Sequence, residues 1–311
     1  MKLRRAAVAD FALLGNALIW GSTFVLMKVM LRSISAILLL GIRFSLATAA
    51  LLVFFRLRGA SLAAVLPGGA PAARRPPHWS AGILIGALLF SGYVFQTQGL
   101  RFTSAPKSAF LTGLSSAMVP LLAALVYRIR PQVSEVVGVL VATAGLGLMT
   151  LPCWTCKGAI GTIGRGDLLT LIGAIGYAAH IVALGHFSEH MSFEFLSVMQ
   201  VGSAGFLSLA CCWWMETPHA EWRPVVVCGI LVTGFLATAL AFTVQAWAQQ
   251  FTTSTRTALI YMLEPVFAWA TSYLLVGESL TRRAAVGAAL ILGGVLLVEM
   301  KPLHPRLHPS Q

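Results

Sequence analysis

Arg43, His180 and Glu264 are ionisable side chains that fall well inside long apolar runs of this sequence. Ionisable groups at such positions are costly and indicate a solute pathway or a buried pair. Glu264 could bind an ammonium group or carry a coupled proton, because burial favours the neutral form of a carboxyl group. Arg43 could hold a carboxylate, or it could pair with Glu264 and link two helices.

Aromatic residues accompany these ionisable groups. His180 follows Tyr177 by three residues, so the two lie on nearly one helix face. The imidazole could carry protons near neutral pH, or it could simply bond a neighbouring side chain. Trp20, Tyr93, Tyr177 and Tyr261 could wall a site for an organic compound or a cation. The alternative is that they serve as packing residues or interfacial anchors.

Two glutamines complete the candidate site. An amide that faced lipid would lack hydrogen-bond partners, so Gln96 and Gln245 are expected to face the protein interior. There they could contact a substrate or bond one helix to another. The predicted substrate-binding residues are Trp20, Arg43, Tyr93, Gln96, Tyr177, His180, Gln245, Tyr261 and Glu264.

Motifs for metal, nucleotide and acyl chemistry are weak or missing in the sequence. His186, Glu189 and His190 form an HxxEH pattern, as in some zinc peptidases, but it straddles a helix end and has no third ligand. Cys153 and Cys156 form a CxxC in a loop, either bonded or as two free thiols. No phosphate loop, dinucleotide fingerprint or nucleophile elbow occurs. We therefore expect no catalytic residues, metal or cofactor, and no ATP-driven pump.

The elements that carry these residues are predicted to be membrane-spanning helices. Of the 311 residues, 58% are hydrophobic and 10% charged, against about 25% charged in soluble domains. Apolar runs of about 20 residues match the thickness of a bilayer, and helices satisfy their own backbone there. The ten predicted spans are 11–31, 34–55, 79–100, 106–127, 134–152, 166–185, 193–215, 224–248, 256–276 and 282–300.

Basic residues give the chain a net charge of +12 and lie mostly between the apolar runs. They do not gather on one helix face, so no nucleic acid is expected as a partner. Their placement follows the positive-inside rule. Among the segments that connect the first five helices, those on the same side of the membrane as the N-terminus carry more Lys and Arg. This predicts cytoplasmic N- and C-termini. The apolar stretch that begins at Phe11 is too long for a signal peptide and is expected to remain as the first span.

An internal repeat appears when residues 94–148 are laid on residues 243–297 without gaps. Each unit has five spans, an odd number, so the two units must face opposite ways in the membrane, as in many secondary transporters. The alternative is a chance likeness of two apolar stretches. The predicted units are 1–152 and 166–300, joined by an inter-repeat loop at 153–165 and followed by a tail at 301–311. The matched pairs include Gln96 with Gln245, Phe102 with Phe251, Thr103 with Thr252, Lys107 with Arg256, Gly138 with Gly287 and Gly145 with Gly294.

The sequence resembles the drug/metabolite transporter superfamily, in its ten-helix EamA-like branch, over nearly the whole chain. The segments that carry this resemblance are Trp20–Phe24, Arg43-Phe44, Gly99–Ala105, Leu263–Val266 and Gly277–Thr281. The resemblance implies two inverted five-helix repeats around a central cavity. It also implies export or exchange of amino acids, metabolites or toxic compounds, often coupled to protons. The fourth helix in this superfamily often carries a proline near its middle, and Pro120 is present here. Pro120 does not fall opposite Pro265 at the repeat offset, so the two halves are not expected to be symmetric at their centres.

Together these features predict an all-α integral membrane protein with about ten transmembrane helices. Its expected function is secondary transport of a small organic solute, amino acid-like or amphipathic, by alternating access in a bacterial inner membrane. Its expected partners are the lipid bilayer, the solute and a coupling proton. The alternatives are a membrane-embedded enzyme, and a scaffold or receptor that uses a transporter fold without transporting.

Overall fold

The computed structural model describes residues 2–59, 79–103, 105–128, 131–150, 164–276 and 281–299. Across these residues the regular structure is helical, and the only strand-like pairing is a single bridge between Ile34 and Ala220. The elements are α1 Lys2–Met30, α2 Ala36–Leu57, α3 Trp79–Gly99, α4 Ala105–Tyr127, α5 Val133–Thr150, α6 Arg165–Ser188, α7 Phe193–Met215, α8 Pro224–Gly234, a π-helical segment Phe235–Leu240, α9 Ala241–Ala248, α10 Ser254–Tyr261, α11 Glu264–Val276 and α12 Arg282–Glu299.

Eight helical stretches in the described part of the chain are long and apolar enough to cross a membrane. They include each of α1 to α7 and the continuous stretch Pro224–Ala248, which contains α8, the π-helical segment and α9. The ninth predicted span corresponds to α10 and α11, and the tenth to α12. Large apolar side chains such as Phe206, Trp213 and Leu274 point outward, as contact with lipid requires. The predicted all-α integral membrane fold is confirmed.

The ninth span differs from the prediction because it is broken in the middle. Pro265 has no N–H to bond the carbonyl of Tyr261, and proline disfavours helical backbone in the residue before it. The chain therefore leaves the helix after Tyr261 and starts a new one at Glu264. The first span also differs, since α1 begins at Lys2 rather than at residue 11.

The corresponding helices α5 and α12 pack against each other through glycines. A Cβ on Gly138 would lie 2.8 Å from the carbonyl oxygen of Gly294, and one on Gly287 would lie 2.5 Å from that of Gly145. Gly138 corresponds to Gly287 in the repeat, and Gly145 to Gly294, so the two contacts are copies of one contact. The helices run antiparallel across it, which is the arrangement expected of two inverted units.

Several sequence predictions concern residues outside the described part. These are Cys153 and Cys156, most of the inter-repeat loop 153–165, most of the loop between α2 and α3, and the tail 301–311.

Candidate functional site

A cavity of about 940 Å³ lies between helices of the two repeats. It extends from the middle of the helices to the loops between α1 and α2, between α3 and α4, and between α7 and α8. Arg101, Thr217 and His219 are exposed at this end. We refer to the end formed by these three residues as the mouth.

The opposite end of the cavity is closed by tightly packed apolar side chains. Leu13, Ala17, Val119, Ala178 and Leu259 are buried together there and come from α1, α4, α6 and α10. We call this group the plug. Because it combines helices from both repeats, a relative movement of the repeats would be needed to open it.

An ion pair lies beyond the plug, near the N-terminus of α1. Nη1 of Arg256 is 3.9 Å from Oδ2 of Asp10, and Nη2 of Arg256 donates a 3.5 Å hydrogen bond to the carbonyl oxygen of Val298. These contacts link α1, α10 and α12 on the closed side.

All nine residues predicted from the sequence lie on the wall of this one cavity. Their role in binding a substrate stays a prediction. The lining set contains Trp20, Arg43, Tyr93, Gln96, Tyr177, His180, Gln245, Tyr261 and Glu264.

Arg43 is almost completely buried, with 2% of its surface exposed, and its partners are neutral. Its Nε donates to Oγ1 of Thr238 at 2.5 Å, and its Nη2 donates to the hydroxyl of Tyr93 and the carbonyl oxygen of Ala237, both at 3.3 Å. Nη1 contacts only the sulfur of Met27, at 3.6 Å. The hypothesis of an ion pair between Arg43 and Glu264 is wrong for this conformation.

Glu264 and Gln245 carry oxygen atoms without hydrogen-bond partners among the described residues. Glu264 is the first residue of α11, directly after the break in the ninth span, and makes no hydrogen bond or ion pair with the described residues. Gln245 is 1% exposed, and its buried Oε1 has no partner there either. Its repeat-equivalent Gln96 differs, because Oε1 accepts from Tyr177 at 2.8 Å and Nε2 donates to Thr112 at 3.1 Å.

Aromatic rings form a continuous wall beside these polar groups. Trp20 and Tyr261 pack edge to face with ring centroids 4.8 Å apart, and Tyr93 and Tyr177 do so at 5.3 Å. Phe242 lies 5.5 Å from Trp20 and 6.4 Å from Tyr93, and so joins the two pairs. Such a wall can bury the apolar body of an organic solute.

His180 is held by a neighbouring side chain. Its Nε2 is 2.8 Å from Oε1 of Gln200, and the Gln200 amide donates to the carbonyl oxygen of Phe242 at 3.3 Å. With the amide oriented in this way, Nε2 must carry the proton. His180 therefore links α6 to α7 in this conformation, which is the simpler of the two roles expected for it.

Several residues of the site were not predicted from the sequence. The π-helical segment turns the carbonyl oxygen of Ala237 toward both Arg43 and Nε1 of Trp20, which donates to it at 2.8 Å. Asn16 donates to the carbonyl oxygen of Ala241 at 2.8 Å, and Thr238 and Met27 contact Arg43. Thr238 and Asn16 could have been identified from the sequence, because they are small polar residues in apolar runs. Nothing in the sequence marks the π-helical segment.

No group of three potential metal ligands occurs among the described residues. In the HxxEH pattern, the ring of His186 stacks on Tyr127 with centroids 4.2 Å apart, and Glu189 follows the end of α6.

The sequence matches the model of the EamA-like transporter family twice, over residues 7–151 and 164–300. The chain therefore belongs to the EamA-like transporter family, and the resemblance seen in its motifs is confirmed.

Relatives along the full length agree with this membership. An uncharacterized transporter of Archaeoglobus fulgidus is 32% identical over 94% of this chain and 86% of its own length. The uncharacterized transporter YoaV of Bacillus subtilis is 23% identical over 90% and 92%. A solved crystal structure superposes with a TM-score of 0.77 at 18% identity, covering 94% of this chain and 96% of its own, which shows a shared fold.

Proposed function

We propose that this transporter exports or exchanges a small organic solute, amino acid-like or amphipathic, by alternating access between its two repeats. The observation that supports this most strongly is the cavity, which is lined by both repeats, open at the mouth and closed at the plug. An inverted pair of units can exchange conformations, so that the open and closed ends change places.

Within this cavity we propose distinct roles for the lining residues. Trp20, Tyr177 and Tyr261 wall the apolar part of the solute, while Gln96 and Gln245 are polar contacts. Glu264 has no partner among the described residues and is proposed to bind an ammonium group or to carry a coupled proton. The carboxyl group of Glu264 would then alternate between a neutral and a charged form, and the proton gradient would drive the transport cycle.

The proposed setting is a bacterial inner membrane with both termini in the cytoplasm. With this orientation the plug faces the cytoplasm and the mouth faces outward, so that the conformation described here is outward-open. We also propose residues 1–152 and 166–300 as the two units that move relative to each other.

The function can be tested by flux into liposomes that contain the purified protein. A pool of labelled amino acids and metabolites is offered with and without an imposed pH gradient, and protein-free liposomes are the control. Protein-dependent accumulation is expected for one solute class, and its loss when an ionophore collapses the gradient would establish proton coupling. Absence of flux for every solute from folded protein would contradict transport, and new products in the pool would indicate an enzyme.

A further inference from the structure

The guanidinium of Arg43 is a buried cation that forms no ion pair with the described residues. Eight of the ten acidic residues have described side chains, and none of their carboxylates lies within 4 Å of it. A buried charge without a paired partner is strongly destabilising, and the neutral groups around Arg43 compensate it only in part. An anion that entered the cavity would supply the missing charge.

The hydrogen bonds of Arg43 show which edge is open to such an anion. A guanidinium has five N–H groups. Thr238, Tyr93 and Ala237 take those of Nε and Nη2, while Nη1 has only the sulfur of Met27, a weak acceptor. Arg43 and Met27 both line the cavity, so a ligand could reach Nη1 by displacing the thioether.

The Tyr93 hydroxyl provides a further donor at the same place. It accepts a hydrogen bond from Arg43 and donates to none of the described residues, so its proton is available. Both rings that flank the guanidinium, Phe44 and Tyr93, lie within 5.5 Å of its central carbon. Together they hold Arg43 in one position, which reduces the cost of ordering a bound anion.

From this arrangement the structure assigns an anion-binding subsite to Nη1 of Arg43 and the hydroxyl of Tyr93. This subsite takes a carboxylate of the transported solute. The inference rests on the proposed transport function, since the carboxylate belongs to the solute that the cavity carries. The aromatic wall next to the subsite selects an acid with an apolar body.

Binding of matched probes to the purified full-length protein tests this subsite without any flux. The probes are 3-phenylpropionate and its neutral amide, 3-phenylpropionamide, titrated by calorimetry against the same background of sodium chloride. Charge-assisted hydrogen bonds are roughly twice as strong as neutral ones, and we expect the acid to bind about tenfold more tightly than the amide. Equal affinities for the two probes would overturn the subsite.

Variants at Met27 and Arg43 connect any preference for the acid to this subsite. Met27→Glu places a fixed carboxylate beside Nη1, so this variant should fold at least as well as Met27→Gln. Because that carboxylate occupies the subsite, only Met27→Gln should keep a preference for the acid. Arg43→Gln should lose the preference, and Arg43→Lys should keep part of it. A preference for the acid in Met27→Glu equal to that in Met27→Gln would overturn the assignment.

The outcomes also separate this inference from the proposed function. Preference for the acid with no flux of any solute would support the subsite and contradict transport. Flux of neutral solutes, together with equal binding of acid and amide, would support transport and overturn the subsite.

Discussion

Gln96 and Gln245 occupy equivalent positions of the two repeats but have different surroundings. Tyr177 and Thr112 satisfy the amide of Gln96, whereas Oε1 of Gln245 is buried without a partner among the described residues. A buried polar atom without a hydrogen bond costs free energy. We infer that Gln96, besides its proposed contact with the solute, stabilises the wall of the cavity, and that Gln245 has no such structural role.

Substitution of each glutamine by leucine separates these roles. Gln96→Leu leaves two partners unpaired and should lower the free energy of unfolding by about 1–3 kcal/mol. Gln245→Leu removes an unsatisfied group, so the melting temperature should be unchanged or higher while flux falls. Thermal unfolding and liposome flux measure the two effects. A larger loss of stability in Gln245→Leu than in Gln96→Leu would contradict this division.

Glu264→Gln keeps the shape of the side chain and removes its titration. We expect normal expression and folding, together with reduced flux or flux that no longer depends on pH. Glu221→Gln is the matched control, because Glu221 is an exposed loop residue paired with Arg223. Normal, pH-dependent flux in Glu264→Gln would show that Glu264 is not the coupling group.

Residue types alone indicated which side chains to consider, and the fold explains what each contacts. Ionisable and amide groups in apolar runs are rare, so Arg43, Gln96 and Glu264 stood out. The pairing of Arg43 with Thr238 could not be predicted, because it joins positions 195 residues apart and depends on how α2 packs against the π-helical segment.

At the level of elements, the ninth span is broken just before Pro265, whereas the fourth continues through Pro120 as one helix. Pro265 corresponds to Ser116 at the repeat offset of 149, and α4 continues through Ser116 as one helix. The departure of the two halves from symmetry was predictable from Pro120 and Pro265. The π-helical segment was not predictable, because its residues are ordinary for an apolar helix and its contacts with Arg43 and Trp20 join positions far apart in the sequence.

The contact between α5 and α12 gives a prediction at the same scale. A Cβ on Gly294 would lie 2.6 Å from the carbonyl oxygen of Gly138, whereas one on Gly293 would have nothing within 4 Å. Gly294→Ala should therefore destabilise the protein by roughly 1–3 kcal/mol through overpacking. Gly293→Ala should be neutral or stabilising by up to about 1 kcal/mol. Equal melting temperatures for the two variants would contradict this helix contact.

For the whole molecule, the inverted repeat relates the closed side to the open side. On the closed side Asp10 of α1 pairs with Arg256. When Ala17–Trp20 of α1 is laid on the similar segment Ala174–Tyr177 of α6, Asp10 corresponds to Asp167. Asp167 accepts a 2.6 Å hydrogen bond from Thr103. If the repeats exchange conformations, the contact between Asp167 and Thr103 should tighten as the mouth closes. The ion pair between Asp10 and Arg256 should then open.

The distance across the mouth tests alternating access most directly. Spin labels at Arg101 in the first repeat and Thr217 in the second, with the five native cysteines replaced, report this distance in liposomes by pulsed electron resonance. We predict two distance populations, a longer one that matches the open mouth described here and a shorter one, with proportions that change with pH or with a transported solute. A single unchanging distance under conditions that support flux would contradict alternating access between the two repeats.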